Sequence, residues 1–591
     1  MSLPTSLPRC MRPIVALLAS GFVPALVPSM ARAQRDDPNG VASRTGLVVS
    51  SNNYASDIGA AVLARGGNAV DAAVATAFAL AVTHPAAGNI GGGGFMVVRL
   101  ASGVSTTFDF REKAPRASRS TMFLNANGTI AYSRTDSGWI SPGVPGTVRG
   151  LALAHSKLGK LPWRAIVMPA AELAKRGFPL SKALAEELNT ELTTGNLRYF
   201  PSSVRAYGKK GGGKWIAGDT LRLGDLARAL AAIAEKGPNV FYAGWIADSL
   251  AAQMKAHGGL ITRADLAAYQ SRERTPVKGT FLGHEIIAMG PPSSGGIVMM
   301  ETLNQLEHFG IEKMKRDSPQ FLHLRIEAAR RAYLDRARFV GDPDFVQVPV
   351  ARLTSKAYGA DLARSIDTAR ASSSLTLGRD VVATPTAEPN ETTHFSVVDA
   401  QGNAVSQTYT LEGGYGSGIV VSGAGFILNN EMGDFNKKTG ETNARGDIGT
   451  PPNLVAPGKR MLSSMSPVIV TKGGKLRLVA GSPGGRTIPN TVLDVVLGVT
   501  AFQMSVRAAV DAPRIHMQWF PDTTYYEEGL MSKATVALLT SKGHALKAVP
   551  ARTQGDAHSI LVDPATGAAW GANDHRSADS KASVPASEGK H

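Results

Sequence analysis

Around residue 392 the chain changes character. Before it runs polar, loop-like sequence, Ala383-Thr384-Pro385-Thr386-Ala387-Glu388-Pro389. After it, Thr392 to Val398 and Ala404 to Leu411 alternate small, β-branched and apolar residues at period two, with the turn-rich stretch Asp399-Ala400-Gln401-Gly402-Asn403 between them. That pattern predicts two strands joined as a hairpin. A hairpin symmetric about Gln401 sets Thr410 opposite Thr392, with Cβ atoms about 5 Å apart.

Elsewhere the periodicity is coarser. Ala55 to Val82 is rich in small residues and predicts a buried helix or helix pair, while Phe95 to Leu100 and Ser105 to Phe110 read as strands. Residues 150–275 read as mostly helical, with Ala-Leu periodicity over Leu223 to Lys236. Ser318 to Phe339 predicts a long amphipathic helix, Ala351 to Arg370 another, and Ile488 to Gln503 a third. The segment after Ser577, 578–591, is polar and is expected to be a mobile tail. Strands and helices in segregated runs place the chain in the α+β class, and no internal repeat is visible.

The junction itself suggests chemistry. A threonine hydroxyl is a weak nucleophile near neutral pH, and one remedy is to free its own α-amine as the neighbouring base. Breaking the Glu391-Thr392 bond makes Thr392 such an N-terminal nucleophile and yields two chains from one precursor, 34–391 and 392–591. Alone, a threonine at a strand start is far more often structural.

With 591 residues, 43% hydrophobic and 19% charged, the chain is globular and long enough for a large core, which excludes disordered and fibrous readings. The formal net charge is +16. Three of those positives, Arg9, Arg12 and Arg32, fall in the first 33 residues, leaving +13, and the rest are scattered with no basic run interleaved with aromatics. Nucleic acid is therefore not an expected partner; attraction of anionic peptides or an envelope surface is the milder reading. Residues 1–33 read as a signal peptide: Arg9 and Arg12, an apolar run from Ile14 to Val23, then Ala31-Arg32-Ala33. Export to a periplasm or the medium is expected, with no membrane span in the mature protein; the alternative is an uncleaved anchor, against which Pro24, Pro28 and the short apolar run argue. The only cysteine, Cys10, lies in that leader, so no disulfide and no cysteine metal site is expected afterwards.

Several blocks carry a family likeness. Thr392-Thr393-His394-Phe395-Ser396-Val397-Val398-Asp399, Leu428-Asn429-Asn430-Glu431-Met432-Gly433-Asp434-Phe435, Gly458 to Pro467 and Gly481-Ser482-Pro483-Gly484-Gly485 resemble the small subunit of the γ-glutamyltransferases. In the first part, Gly66 to Ala73, Gly91 to Met96, Asp109-Phe110-Arg111-Glu112, Gly143 to Gly146 and Pro291 to Gly296 match in order. The resemblance spans nearly all of the chain after the leader. It implies a four-layer αββα sandwich of the N-terminal nucleophile hydrolases, built jointly by two chains after self-cleavage. It also implies γ-glutamyl substrates such as glutathione, with water, an amino acid or a peptide as acceptor and no cofactor or metal.

The same resemblance assigns roles. Thr392 is the nucleophile, and the hairpin geometry itself sets the Thr410 hydroxyl to orient it. Arg111 suits a substrate α-carboxylate, because a guanidinium grips a carboxylate by two parallel N–H bonds; out of context, Arg111 beside Glu112 is a surface ion pair. Ser463 and Ser464 add hydroxyl donors to the same carboxylate. Glu431 and Asp434, three residues apart, suit the α-ammonium; their bland readings are a solvated turn or a metal site, for which no histidine partners are found. Gly484 and Gly485 offer consecutive N–H groups for an oxyanion. Gly91 to Gly94 lacks the Gly-Lys-Ser/Thr ending of a phosphate loop and is expected to serve close packing. His394 is expected to pack or hydrogen-bond beside the nucleophile.

Two departures stand out. After Thr408-Tyr409-Thr410-Leu411, where many relatives carry Asn, this chain has Glu412, as some family members do, and Glu412 is a substrate-binding candidate for the glutamyl ammonium. The lid-like insert 436–457 holds no tyrosine, and Arg445 falls near the usual place of the aromatic gate. Alternatives are a cephalosporin or glutaryl acylase of the same fold and an exported binding protein without catalysis.

Overall fold

The computed structural model describes residues 39–381, 383–384, 392–443 and 448–586. The leader, Glu391 and Arg445 lie outside the described residues. The strands of the two large sheets are β1 (Val41–Ser43), β2 (Gly46–Ser50), β3 (Gly93–Arg99), β4 (Ser105–Asp109), β5 (Arg272–Arg274), β6 (Val277–Phe281) and β7 (His284–Ala288). After residue 392 come β8 (Thr393–Asp399), β9 (Ala404–Thr410), β10 (Val468–Lys472), β11 (Lys475–Ala480), β12 (Ser559–Val562), β13 (Ala569–Ala572) and β14 (Lys581–Ser583). One sheet runs β14-β2-β8-β9-β3-β4-β5 and the other β1-β13-β12-β11-β10-β7-β6. Each mixes strands from both sides of residue 392, so the two halves of the chain share their cores.

Helices cover both outer faces. They include α1 (Asn53–Ala64), α2 (Ala69–Thr83), α3 (Trp163–Arg176) and α4 (Gly224–Lys236) on one side, and α5 (Gly295–Glu307), α6 (Pro319–Phe339) and α9 (Ile488–Thr500) on the other, with α7 (Val350–Leu353) and α8 (Lys356–Arg364) beside them. Strand alternation sorts the cores. Phe395 and Val397 of β8 join Val48, Met96 and Val98 against α1 and α2, whereas Leu47, Val49, Phe95 and Val97 face the second sheet, whose Ile469, Leu478 and Val479 lie in the same cluster with α5 and α9. The layers are helix, sheet, sheet, helix, which is the expected αββα sandwich.

The hairpin follows its expected register: β8 and β9 pair antiparallel with Thr393 opposite Tyr409 and Val398 opposite Ala404, both summing to twice 401. Its turn is keyed by Asp399, whose Oδ1 accepts from the N–H of Gln401 and Asn403 at 3.0 and 2.9 Å. Gly402 supplies the positive φ of 86°. One step beyond the ladder, Thr392 falls level with Thr410.

Three elements differ from expectation. The helix at 319–339 is not amphipathic: Phe321 to Ala337 is buried on every side. Its charges are matched internally, Arg331 with Glu327 at 2.7 Å and Arg325 with Asp494 at 3.2 Å, which lets a polar face sit inside. The helix expected at 351–370 is broken into α7 and α8 because Ser355 caps the second piece, its hydroxyl accepting from the Tyr358 N–H. The tail is ordered through β14, where Ala582 pairs with Val49 and Lys581 reaches Asp57 at 2.7 Å. That edge pairing overrides the polar composition; 587–591 lie outside the described residues. Strand β2, which the sequence reading missed, lies between β14 and β8.

Candidate active site

The β8–β9 hairpin, the β4 end, the loop 411–436, the loop 461–465 and the turn after β11 converge on one cleft with about 130 Å3 of free volume. Thr392 lines it at 6% exposure and Thr410 at 3%, so both threonines are buried in its wall. Thr410 Oγ1 accepts the Glu412 N–H at 2.9 Å, and Glu412, which also lines the cleft, holds a φ of 83° that an ordinary side chain seldom adopts. The glycine run packs tightly behind this wall: a Cβ on Gly92 would stand 2.1 Å from the Thr410 carbonyl oxygen, and one on Gly91 2.1 Å from that of Ile427.

Opposite, Arg111 is fully buried. Its Nη1 meets Glu431 at 2.6 Å and its Nη2 pairs with Asp434, while Nε and Nη2 donate to the carbonyls of Met461 and Leu462 at 3.3 and 3.2 Å. Burial alone would lower its pKa, but the carboxyls of Glu431, Asp434 and Glu112 outweigh that and hold the guanidinium charged. One guanidinium thus faces three carboxyls. Burial pushes Glu112 up to about 8 and Glu431 well above the usual carboxylate range, with the neighbouring acids adding to the effect.

Ser463, Ser464 and Gly485 line the same cleft, and Gly484 adjoins it. Gly484 (φ 126°) and Gly485 (φ 54°) form a turn in which Thr487 donates through both its N–H and its hydroxyl to the Gly484 carbonyl, at 3.0 and 2.6 Å. A Cβ on Gly484 would stand 2.5 Å from the Thr487 hydroxyl oxygen. Neither glycine N–H donates to an acceptor among the described residues. The ten residues singled out from the sequence are therefore brought together, nine on the wall and one beside it.

His394 is close but not in the cleft. Fully buried, its Nδ1 lies 2.9 Å from Thr408 Oγ1 and its Nε2 3.2 Å from Ser396 Oγ, and burial holds its pKa well below the usual imidazole value. Sequence reasoning missed Arg336 of α6, whose Nε and Nη2 donate to the hydroxyls of Ser294 and Ser464 at 2.9 and 3.0 Å, setting the direction of Ser464. It also missed Asn453, which ties the Asp434 carbonyl to the Leu462 N–H through its amide at 2.7 and 2.8 Å. Arg336 sits in the arginine-rich stretch of α6, the only local signal that marked it. From the lid-like insert, Asn436, Lys437 and Ile448 line the cleft.

In comparisons with known proteins, residues 55–584 match the family described as Gamma-glutamyltranspeptidase. The chain belongs to that family. Over 576 residues this family member is 43% identical to the glutathione hydrolase proenzyme of Escherichia coli K12, covering 96% of this chain and 98% of that protein. The cephalosporin acylase of Bacillus halodurans superposes with a TM-score of 0.79 at 27% identity, over 96% of this chain and 99% of that one. The γ-glutamyltranspeptidase of Helicobacter pylori gives a TM-score of 0.54 at 42% identity over 55% of this chain and 93% of its own. As a member of the γ-glutamyltranspeptidase family the protein is an enzyme, which removes the non-catalytic alternative. Among the described residues, no helix is long and apolar enough to cross a membrane.

Proposed function

We propose that this protein is a self-processing glutathione hydrolase and γ-glutamyltransferase, exported as a precursor and cut between Glu391 and Thr392. In the first stage the Thr392 hydroxyl attacks the Glu391 carbonyl, the C–N bond breaks as the α-amine takes the proton, and water then hydrolyses the resulting ester. The products are residues of about 34–391 and 392–591, which stay together because both sheets interleave their strands. The freed α-amine, with a reference pKa of about 7.7–8.0, becomes the base for the second stage.

In that stage Thr392 Oγ attacks the γ-carbonyl of the donor. The N–H groups of Gly484 and Gly485 receive the developing oxyanion, a device worth a few kcal/mol. The amine leaving group departs with the proton, and a γ-glutamyl-threonine ester remains. Water or the amino group of an acceptor then resolves it, so hydrolysis and transfer differ only in the second nucleophile.

The observation that supports this reading is that Thr392 lines one cleft together with Arg111, Glu412, Glu431, Asp434, Ser463 and Ser464. Arg111, helped by Ser463 and Ser464, takes the α-carboxylate, and Glu431, Asp434 and Glu412 take the α-ammonium. Binding such a head group opens the Arg111 contacts to Glu431 and Asp434 and replaces each with a charge of the same sign from the substrate. A glutaryl acylase, the second reading, is supported by the likeness to the Bacillus halodurans enzyme. Glutaryl groups lack the ammonium, leaving three carboxyls without a cation beyond Arg111. Comparing γ-glutamyl-p-nitroanilide with glutaryl-p-nitroanilide tests this: the γ-glutamyl compound should be preferred at least tenfold, and equal or reversed rates would favour the acylase.

A further inference from the structure

Behind the cleft runs a buried polar chain that the mechanism above leaves unused. Thr393 follows Thr392 and points to the opposite side of β8, where its Oγ1 lies 2.8 Å from Ser51 Oγ. Ser51 Oγ in turn lies 3.0 Å from His558 Nε2, and Asp556 Oδ2 lies 3.1 Å from the same nitrogen. Ser51 is 2% exposed, Thr393 and His558 not at all. The three come from the end of β2, the start of β8 and the residue before β12, so the chain stitches the two sheets together at the strand end that carries Thr392.

A backbone N–H assigns the tautomer at the histidine end. The Asp574 N–H points at His558 Nδ1 at 3.4 Å, so Nδ1 is the acceptor and Nε2 carries the proton. Nε2–H then donates to Ser51 Oγ and to Asp556 Oδ2, and the Ser51 and Thr393 hydroxyls share one hydrogen bond in which either can donate. This is not an acid–base triad, because serine and aspartate share one ring nitrogen instead of occupying both. Ser51 has no base to activate it; the arrangement orients.

The same short segment also reaches the other side of the cleft. The Asp556 N–H donates to Ser482 Oγ at 3.0 Å, two residues before Gly484. Gly555, with a φ of 68°, packs so closely that a Cβ there would stand 2.7 Å from Ser482 Oγ, and the Gly484 position faces the Gly555 backbone. His558 further accepts from the Ser396 hydroxyl through its carbonyl at 2.7 Å, gripping β8 twice. Segment 555–558 therefore touches the strand that follows the nucleophile and the turn that holds the oxyanion donors.

We propose that Gly555 to His558 is a positioning brace that fixes the separation of Thr392 from the Gly484 and Gly485 N–H groups. His558 acts on the nucleophile side through Ser51 and Thr393, and Asp556 on the oxyanion side through Ser482. The inference rests on Thr392 being the nucleophile. A chain end frays unless tied down, and after the cut Thr392 is a chain end whose neighbour Thr393 is tied by this chain. A misplacement of about 1 Å at a reacting group costs on the order of a hundredfold in rate.

The test uses the full-length precursor and its His558→Leu, His558→Gln and Ser51→Ala variants, with the Ser51→Ala/His558→Leu double variant. Each is followed by intact mass for the cut and by kcat and KM on γ-glutamyl-p-nitroanilide after the cut. His558→Leu and Ser51→Ala are expected to lower kcat at least tenfold with KM within twofold. The double variant should be no slower than His558→Leu, since both break one chain, and His558→Gln, which keeps a donor, should restore kcat to within threefold of wild type. Unchanged kcat in Ser51→Ala, multiplying losses in the double variant, or losses confined to KM would overturn the brace. Should His558→Leu fail to fold, Ser51→Ala alone decides in the same way. A wild-type protein that is uncut, or inert toward the γ-glutamyl anilide, instead overturns the reading of Thr392.

Discussion

Replacing Thr410 by valine removes one hydroxyl at nearly constant volume, at the position level with Thr392 across the hairpin. The hydroxyl accepts the Glu412 N–H at 2.9 Å in a cleft where Thr410 is 3% exposed. A neutral bond is worth about 1 kcal/mol net, and because its loss here also leaves the part-buried N–H without that acceptor the cost rises to about 2 kcal/mol. That N–H belongs to a residue at φ 83°, so the bond helps hold Glu412 in a conformation an ordinary side chain seldom adopts. With the lost orientation of Thr392, about 2 kcal/mol of transition-state stabilisation disappears, or ~30-fold in rate. Both stages should slow: the appearance of two chains followed by mass over time, and kcat of the processed enzyme. Thr410→Ser, which retains the hydroxyl, should stay within a fewfold of wild type. A Thr410→Val enzyme that matures and turns over within threefold of wild type, or a Thr410→Ser enzyme as slow as Thr410→Val, would refute the reasoning.

Other perturbations separate binding, electrostatics and packing. Arg111→Lys keeps the charge but loses the two-pronged grip, so KM for a γ-glutamyl donor should rise on the order of a hundredfold while self-cleavage proceeds, as steady-state kinetics and gels would report. Glu112 is held protonated by burial, pushed up to about 8. Its contribution to stability is therefore complete below the unfolded carboxylate pKa near 4.5 and is lost as pH rises toward 8. Urea midpoints should fall between pH 5 and pH 8, and Glu112→Gln should flatten that fall. Gly481→Ala would set a Cβ 2.2 Å from His394 Cε1, so thermal unfolding should show a loss of about 1–3 kcal/mol from overpacking.

The parts of this molecule that were legible in the sequence are those encoded locally. The β8–β9 register followed from period-two alternation and one turn, and the register then set Thr410 level with Thr392. Asp109-Phe110-Arg111-Glu112 and the 428–435 and 481–485 blocks announced themselves as motifs, though nothing local said that Arg111 would lie 2.6 Å from Glu431. What stayed hidden depends on which distant segments meet. Strand β2 is five residues long, too short for its apolar run to be told from a loop. The α6 charges looked like a solvated face because their partners, such as Asp494, are remote in sequence. Ser51 and His558 lie 507 residues apart, and each alone reads as an ordinary loop residue. The polar tail became strand β14 because a sheet edge beside β2 was there to pair with.

The most direct test of the central claim is the intact mass and N-terminal residue of each chain in protein purified from its native host, which needs no assumed substrate. Two chains, the smaller beginning with Thr392, are predicted, with Thr392→Ala remaining as one. A single uncut chain without self-cleavage in vitro, or a cut at another residue, would contradict it.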